Sequence, residues 1–115
     1  MVGLAGVGLA SAPAFADTTE PAACVMRAYK PVDQGNQNME ARGGRGNCIN
    51  PATVTVMLKR DITAFPDSIV ESSTRSSIYN ATWSVYGVGA SGKQYYTQSD
   101  SSTGASLQSG RITLG

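Results

Sequence analysis

Thr53-Val54-Thr55-Val56-Met57-Leu58-Lys59 alternates with a period of two, sending Val54, Val56 and Leu58 one way and Thr53, Thr55 and Lys59 the other. That period belongs to a strand with one buried face, and β-branched Val and Thr fit a pleated, half-buried surface. Ala81-Thr82-Trp83-Ser84-Val85-Tyr86 repeats the pattern, with Ala81, Trp83 and Val85 on the apolar face and Tyr86 on the other. Lys93-Gln94-Tyr95-Tyr96-Thr97-Gln98 predicts a third strand. Gly87-Val88-Gly89-Ala90-Ser91-Gly92 connects these last two, so they read as a hairpin around a Gly-rich turn. Alternation puts Tyr95 and Tyr96 on opposite faces, which sets one of them outward.

Working outward, Ala23–Lys30, Gln37–Arg42 and Ser68–Ser73 read as weaker strands, and Gln108–Leu114 as the last. Pro31, Gly35, Gly43-Gly44, Pro51 and Pro66-Asp67 punctuate them as turns. No window carries apolar residues at helical spacing among helix formers. About seven strands with a turn signal roughly every ten residues predict an all-β fold, an antiparallel two-sheet sandwich of immunoglobulin-like outline. A small β-barrel is the alternative. Trp83 and a disulfide are the expected centre of the core.

The chain has 115 residues, enough for one domain. Nine Lys+Arg against eight Asp+Glu leave +1, a field too weak to imply nucleic acid as partner. Residues Val2 to Phe15 carry no charge and end in Ala14-Phe15-Ala16, the tail of a secretory signal peptide. Residues 1–16 are therefore expected to be a leader, and 17–115 a single secreted domain without a membrane span. No Lys or Arg follows Met1, so the true start is expected to lie upstream. Cys24 and Cys48 are the only cysteines, and in an oxidising compartment the pair reads as one disulfide. Closing a loop of about 25 residues contributes on the order of 3 kcal/mol in the chain-entropy model.

The motifs that resemble chemistry are weak. Gly87-Val88-Gly89-Ala90-Ser91-Gly92-Lys93 fits the phosphate-cradling G-x-x-x-x-G-K pattern, but Gln94 stands where magnesium needs Ser or Thr. A strand-forming Tyr95-Tyr96-Thr97 follows in place of a helix N-terminus. Arg42-Gly43-Gly44-Arg45-Gly46 resembles one RGG repeat and reads equally as a flexible loop tethered by Cys48. Lys59-Arg60-Asp61 is a small charge cluster at a strand end. The chain contains no His, the commonest general base and a frequent zinc ligand. Glu40, Asp61, Asp67, Glu71 and Asp100 are scattered over separate elements, with no spacing that pairs two of them as hydrolysis requires. No catalytic residue, metal site or cofactor is expected. Asn80-Ala81-Thr82 is a formal glycosylation sequon inside a predicted strand.

Val54-Thr55-Val56-Met57-Leu58-Lys59-Arg60-Asp61, Pro66-Asp67, Tyr95-Tyr96-Thr97 and Ser102-Thr103-Gly104, with Gln108-Ser109-Gly110-Arg111-Ile112-Thr113-Leu114, carry a resemblance. Together they resemble the small secreted β-sandwich proteins of actinobacteria, Streptomyces-type, whose function is unassigned. The resemblance implies a compartment and an architecture and transfers no functional residue. Members commonly carry a second cysteine pair, which this chain lacks.

The expected function is a non-catalytic extracellular module that binds an envelope polymer or a protein. Tyr29, Tyr79, Tyr86, Tyr95 and Tyr96 offer amphipathic contact area at low entropic cost. The expected binding end joins Tyr86, the outward member of Tyr95 and Tyr96, Lys93 and the 87–92 connection. The alternative is a protease inhibitor or toxin-like effector that presents the disulfide-braced 33–46 loop with Arg42 and Arg45.

Overall fold

The computed structural model describes residues 24–115, and among them the alternating segments are strands with no helix. The expected leader, 1–16, lies outside the described residues. The strands are β1 (Val25–Gly35), β2 (Asn38–Gly46), β3 (Ala52–Asp61), β4 (Ser68–Ile78), β5 (Ala81–Val88), β6 (Gln94–Ser101), β7 (Ser106–Gln108) and β8 (Ile112–Thr113). Pro31 does not end the first of them. It sits where the β1–β2 pairing slips between Tyr29 and Val32, at an edge where a missing N–H costs little. The β1–β2 turn is Asn36-Gln37, both at positive φ (54° and 66°), the geometry of a tight primed hairpin.

Two antiparallel sheets result, β1-β2-β5 and β4-β3-β6-β7, with β8 on the near end of β6. The β2–β3, β4–β5 and β5–β6 connections cross from one sheet to the other. The order is that of an immunoglobulin-like sandwich, not a barrel, with the fourth strand bonded to β3 in the second sheet. Gly87 and Val88 belong to β5, and the connection that follows them to β6 is a crossover and not a hairpin turn, because β5 pairs with β2 while β6 pairs with β3. The cause is burial. Trp83, Val85 and Tyr95 share one core and must face each other across sheets instead of standing side by side on one.

Met39, Ala41, Trp83 and Val85 of the first sheet meet Val54, Val56, Leu58 and Tyr95 of the second, and Leu114 closes one end. Cys24 and Cys48 are bonded as expected. The bridge lies outside that core, where Val25 pairs with Gly46, and it ties β1 to the end of β2 within one sheet. The last expected strand divides into β7 and β8, with Ser109 and Arg111 between them.

Gly43-Gly44 is the clearest correction, for it lies inside β2 and not in a turn. A Cβ on Gly43 would strike the Ser99 hydroxyl and press on Val56, and one on Gly44 (φ 149°) would strike the Ala81 carbonyl. Small residues are needed there because backbone and facing side chains approach closely, not because the chain reverses. The neighbouring Arg45 points inward and is 1% exposed. Its Nη1 donates to the carbonyls of Asn50 and Ile78, both at 2.9 Å, and its Nη2 approaches Cys24 Sγ at 3.4 Å. One side chain thus joins β2, the β2–β3 connection, the end of β4 and the disulfide. Arg45→Met keeps the length and removes these charged donors. At roughly 1–3 kcal/mol per buried acceptor left unmet, we expect a loss of about 2–4 kcal/mol, read from urea unfolding midpoints.

Candidate functional site

Strand parity divides the outside of the sandwich into two unlike faces. On the first sheet the outward positions pair as Tyr29, Arg42 and Ser84 in one row and Val32, Glu40 and Tyr86 in the next. Asn38 and Val88 follow at the β1–β2 turn. Tyr29 (48%), Val32 (55%), Tyr86 (60%) and Val88 (64%) are all open to solvent, so apolar area gathers on one flat surface. Polar groups stand between them already oriented. Glu40 accepts from Ser84 Oγ at 2.6 Å and from Gln34 Nε2 at 3.2 Å. Arg42 Nη2 donates to Thr82 Oγ1 at 3.0 Å. Ile49, Phe65 and Tyr79, also exposed, lie singly in connections, Ile69 and Leu107 stand singly on β4 and β7 of the second sheet, and Val25 stands at the far end of this same face.

On the outer face of the second sheet many polar side chains bond to one another. Thr55 and Thr74 share a hydrogen bond of 2.9 Å, Ser106 donates to Asp100 at 2.6 Å, and Gln98 links Lys59, Asp100 and Gln108. Tyr96 belongs here. Alternation correctly opposes it to Tyr95, yet neither ring is exposed. Tyr95 enters the core and accepts from the Ala90 N–H at 2.8 Å. Tyr96 is covered on the outside by Arg111, whose guanidinium lies 3.8 Å above the ring, and donates to Asp67 Oδ2 at 2.5 Å. Arg111 also pairs with Asp61 at 3.0 Å. Asp61 and Asp67 therefore flank one phenol, but each is held by a structural partner.

The other sequence-derived residues fall apart in space. Arg42 lies exposed on the first outer face beside Ser84. Arg45 is inside, so 33–46 is a hairpin of paired strands and not a presenting loop. Lys93 lines an open polar cleft of about 400 Å³ with Arg60, Asp61, Ile62, Thr63, Gly92 and Gln94. That cleft is on the β3–β6 side, whereas Tyr86 stands on the opposite sheet. The phosphate-loop pattern runs into β6 and opens no helix. Asn80 is exposed in the β4–β5 connection and not within a strand. Val32, Val88 and Glu40 were missed as members of the face. Parity counted from buried Met39 and Ala41 would have found Glu40, and parity from Trp83 would have found Val88.

No protein-family model, no curated protein and no solved structure matches this chain. Among the described residues there is no cluster of three or more metal-capable side chains, and no helix is long and apolar enough to cross a membrane. The disulfide is compatible with an extracellular location, since such bonds persist in oxidising compartments.

The Tyr96–Asp67 pair sets a pH dependence. The Ile62 N–H and then the Tyr96 hydroxyl hold the Asp67 carboxyl below its ordinary value. Burial, followed by the bond to Asp67, pushes the Tyr96 phenol up to about 12. The Asp67 contribution is present above the ordinary carboxylate range and is lost as pH falls through the lowered folded value. The Tyr96 contribution is present below its ordinary value of 10.0 and is lost as pH rises toward about 12, because the unfolded phenol ionises first. Tyr96→Phe removes the phenol's contribution and the part of the Asp67 contribution that its hydroxyl supplies, leaving the Ile62 N–H bond in place. The difference between wild-type and variant unfolding midpoints, followed across pH, should therefore be largest near neutrality and narrow toward the two extremes.

Proposed function

We propose that the protein is a non-catalytic secreted module, of the small actinobacterial kind that its sequence resembles, which acts by binding a cell-envelope polymer across the outer face of β1-β2-β5. The observation that carries this reading is the gathering of Tyr29, Val32, Tyr86 and Val88 on one outer face while many polar side chains of the opposite face bond to one another. Tyr29 and Tyr86 lie on the strands flanking β2, one residue pair out of step. Two strand spacings and that offset put their attachment points about 12 Å apart. A chain of two or more sugar units reaches both rings across that distance.

The chemistry between the rings fits a carbohydrate chain. Tyrosine supplies a rigid amphipathic surface that stacks on apolar patches while its hydroxyl stays wet. Glu40, Arg42, Ser84 and Thr82 supply acceptors and donors that are already held by neighbours, so little ordering remains to be done on binding. The expected leader over 1–16 and the disulfide support action outside the cell. A protease-inhibitor or effector role would have to rest on Arg42 alone, since Arg45 is committed to the interior.

The test is co-sedimentation of the purified chain with insoluble peptidoglycan and with insoluble neutral polysaccharides. We expect retention on one of these that falls at least tenfold in Tyr86→Ala and in Tyr29→Ala, and is unchanged in Thr74→Ala on the opposite face. Retention that survives both tyrosine substitutions, or no retention on any polymer, overturns the reading.

A further inference from the structure

From Ser76 through Gly92 the chain carries no charged residue, and β5 lies wholly within that stretch. β5 is also a sheet edge, bonded to β2 on one side only. Natural edge strands are protected against pairing by Pro, Lys, bulges or shortness. The other edges here follow that rule. β1 carries Lys30, Pro31 and slips in register, β4 carries Glu71 and Arg75 and pairs irregularly with β3, and β7 and β8 are only three and two residues long. β5 has none of these devices, and its pairing with β2 runs unbroken from Ala81 to Val88.

The direction of its free groups follows from one bond. Gly89 N–H donates to the Gln37 carbonyl at 2.9 Å, one step beyond the pairing of Val88 with Asn38. In an antiparallel ladder, bonded and non-bonded pairs alternate. Ala81, Trp83, Val85 and Gly87 therefore bond to β2, while the N–H and C=O of Thr82, Ser84, Tyr86 and Val88 point to the open side. Among the described residues those main-chain groups have no hydrogen-bond partner.

We infer that β5 is a self-association edge, and that a second copy of this chain adds its own β5 antiparallel across a two-fold axis at Val85. That register sets Thr82 opposite Val88 and Ser84 opposite Tyr86, uses every free group, and forms about eight main-chain hydrogen bonds. It sets Val85 against its own copy and Trp83 against Gly87, which leaves room for the indole. A two-fold places each strand near itself, so a charge on β5 would meet its like at close range. The absence of charge thus suits a second copy in particular. The sheet then runs β1-β2-β5 directly into β5-β2-β1 of the other molecule. This inference is independent of what occupies the outer face.

The test joins sedimentation equilibrium of the full chain with amide exchange, both from micromolar to millimolar concentration. We expect a monomer–dimer equilibrium, and protection of the Thr82, Ser84, Tyr86 and Val88 amides that rises with concentration. Ser84→Pro removes an N–H that faces the open edge and leaves the β2 ladder whole, and Thr82→Lys adds the missing charge. Each should weaken the dimer at least tenfold while the Trp83 and Val85 amides keep their protection. A monomer at every concentration overturns the inference. So does a dimer indifferent to both substitutions, or protection of the four amides that does not depend on concentration or appears only with an added extended peptide.

Discussion

The close approach of the two sheets at Gly43 is the constraint on which the rest of the molecule depends. β2 is the middle strand of the first sheet and sends Met39, Ala41, Gly43 and Arg45 inward. At Gly43 there is no side chain, and the Ser99 hydroxyl of β6 enters that space to donate to the Arg27 carbonyl of β1 at 2.7 Å. A hydrogen bond across the layers is possible only at this spacing. Dispersion contacts weaken sharply with small gaps, so the same spacing lets Met39, Trp83 and Val85 meet Val56, Leu58 and Tyr95 on one side of it. On the other side Arg45 fills the end of the sandwich beneath the disulfide.

With the interior closed in this way, the two outer faces are free to differ. The second sheet covers Tyr96 with Arg111 and the 62–67 connection, and many of its remaining polar side chains bond to one another. That arrangement anchors the β3–β4 loop and the β7–β8 segment on β6. The first sheet has no such cover. Its outer rows leave Tyr29, Val32, Tyr86 and Val88 in water, a costly arrangement for a domain whose net stability is only a small difference between large terms. Selection on folding alone would favour polar residues there, which is why the uncovered face carries the functional reading.

Much of the fold was legible in the residues, and much less of the site. Period-two alternation in Thr53–Lys59 and Ala81–Tyr86 located β3 and β5 and named their buried sides correctly. The cysteine pair had only one connectivity. The reading failed where a residue type carries two meanings. Gly43-Gly44 signals a turn when the reason is flexibility and a strand when the reason is close packing, and nothing local separates the two. Arg45 looks solvated by type, yet the carbonyls that bury it come from Asn50 and Ile78, both outside β2. Alternation set Tyr95 and Tyr96 on opposite faces without saying which is outer, and the groups that hide the outer one, Tyr96, are Asp67 and Arg111 from other connections.

By itself, then, the sequence determined the elements that local chemistry controls: strands, their buried sides, the all-β class and the disulfide. Those follow from backbone geometry and from side chains two residues apart. Only the tertiary structure decided which strand lies beside which. The segment between β5 and β6 serves a hairpin or a crossover equally well, and the choice rests on whether Trp83 and Tyr95 must face each other. It alone brought Tyr29 and Tyr86 onto one surface, because strands far apart in the chain meet through β2. It alone left β5 at an edge. Burial and pairing are properties of distant partners, and no local pattern in the chain encodes them.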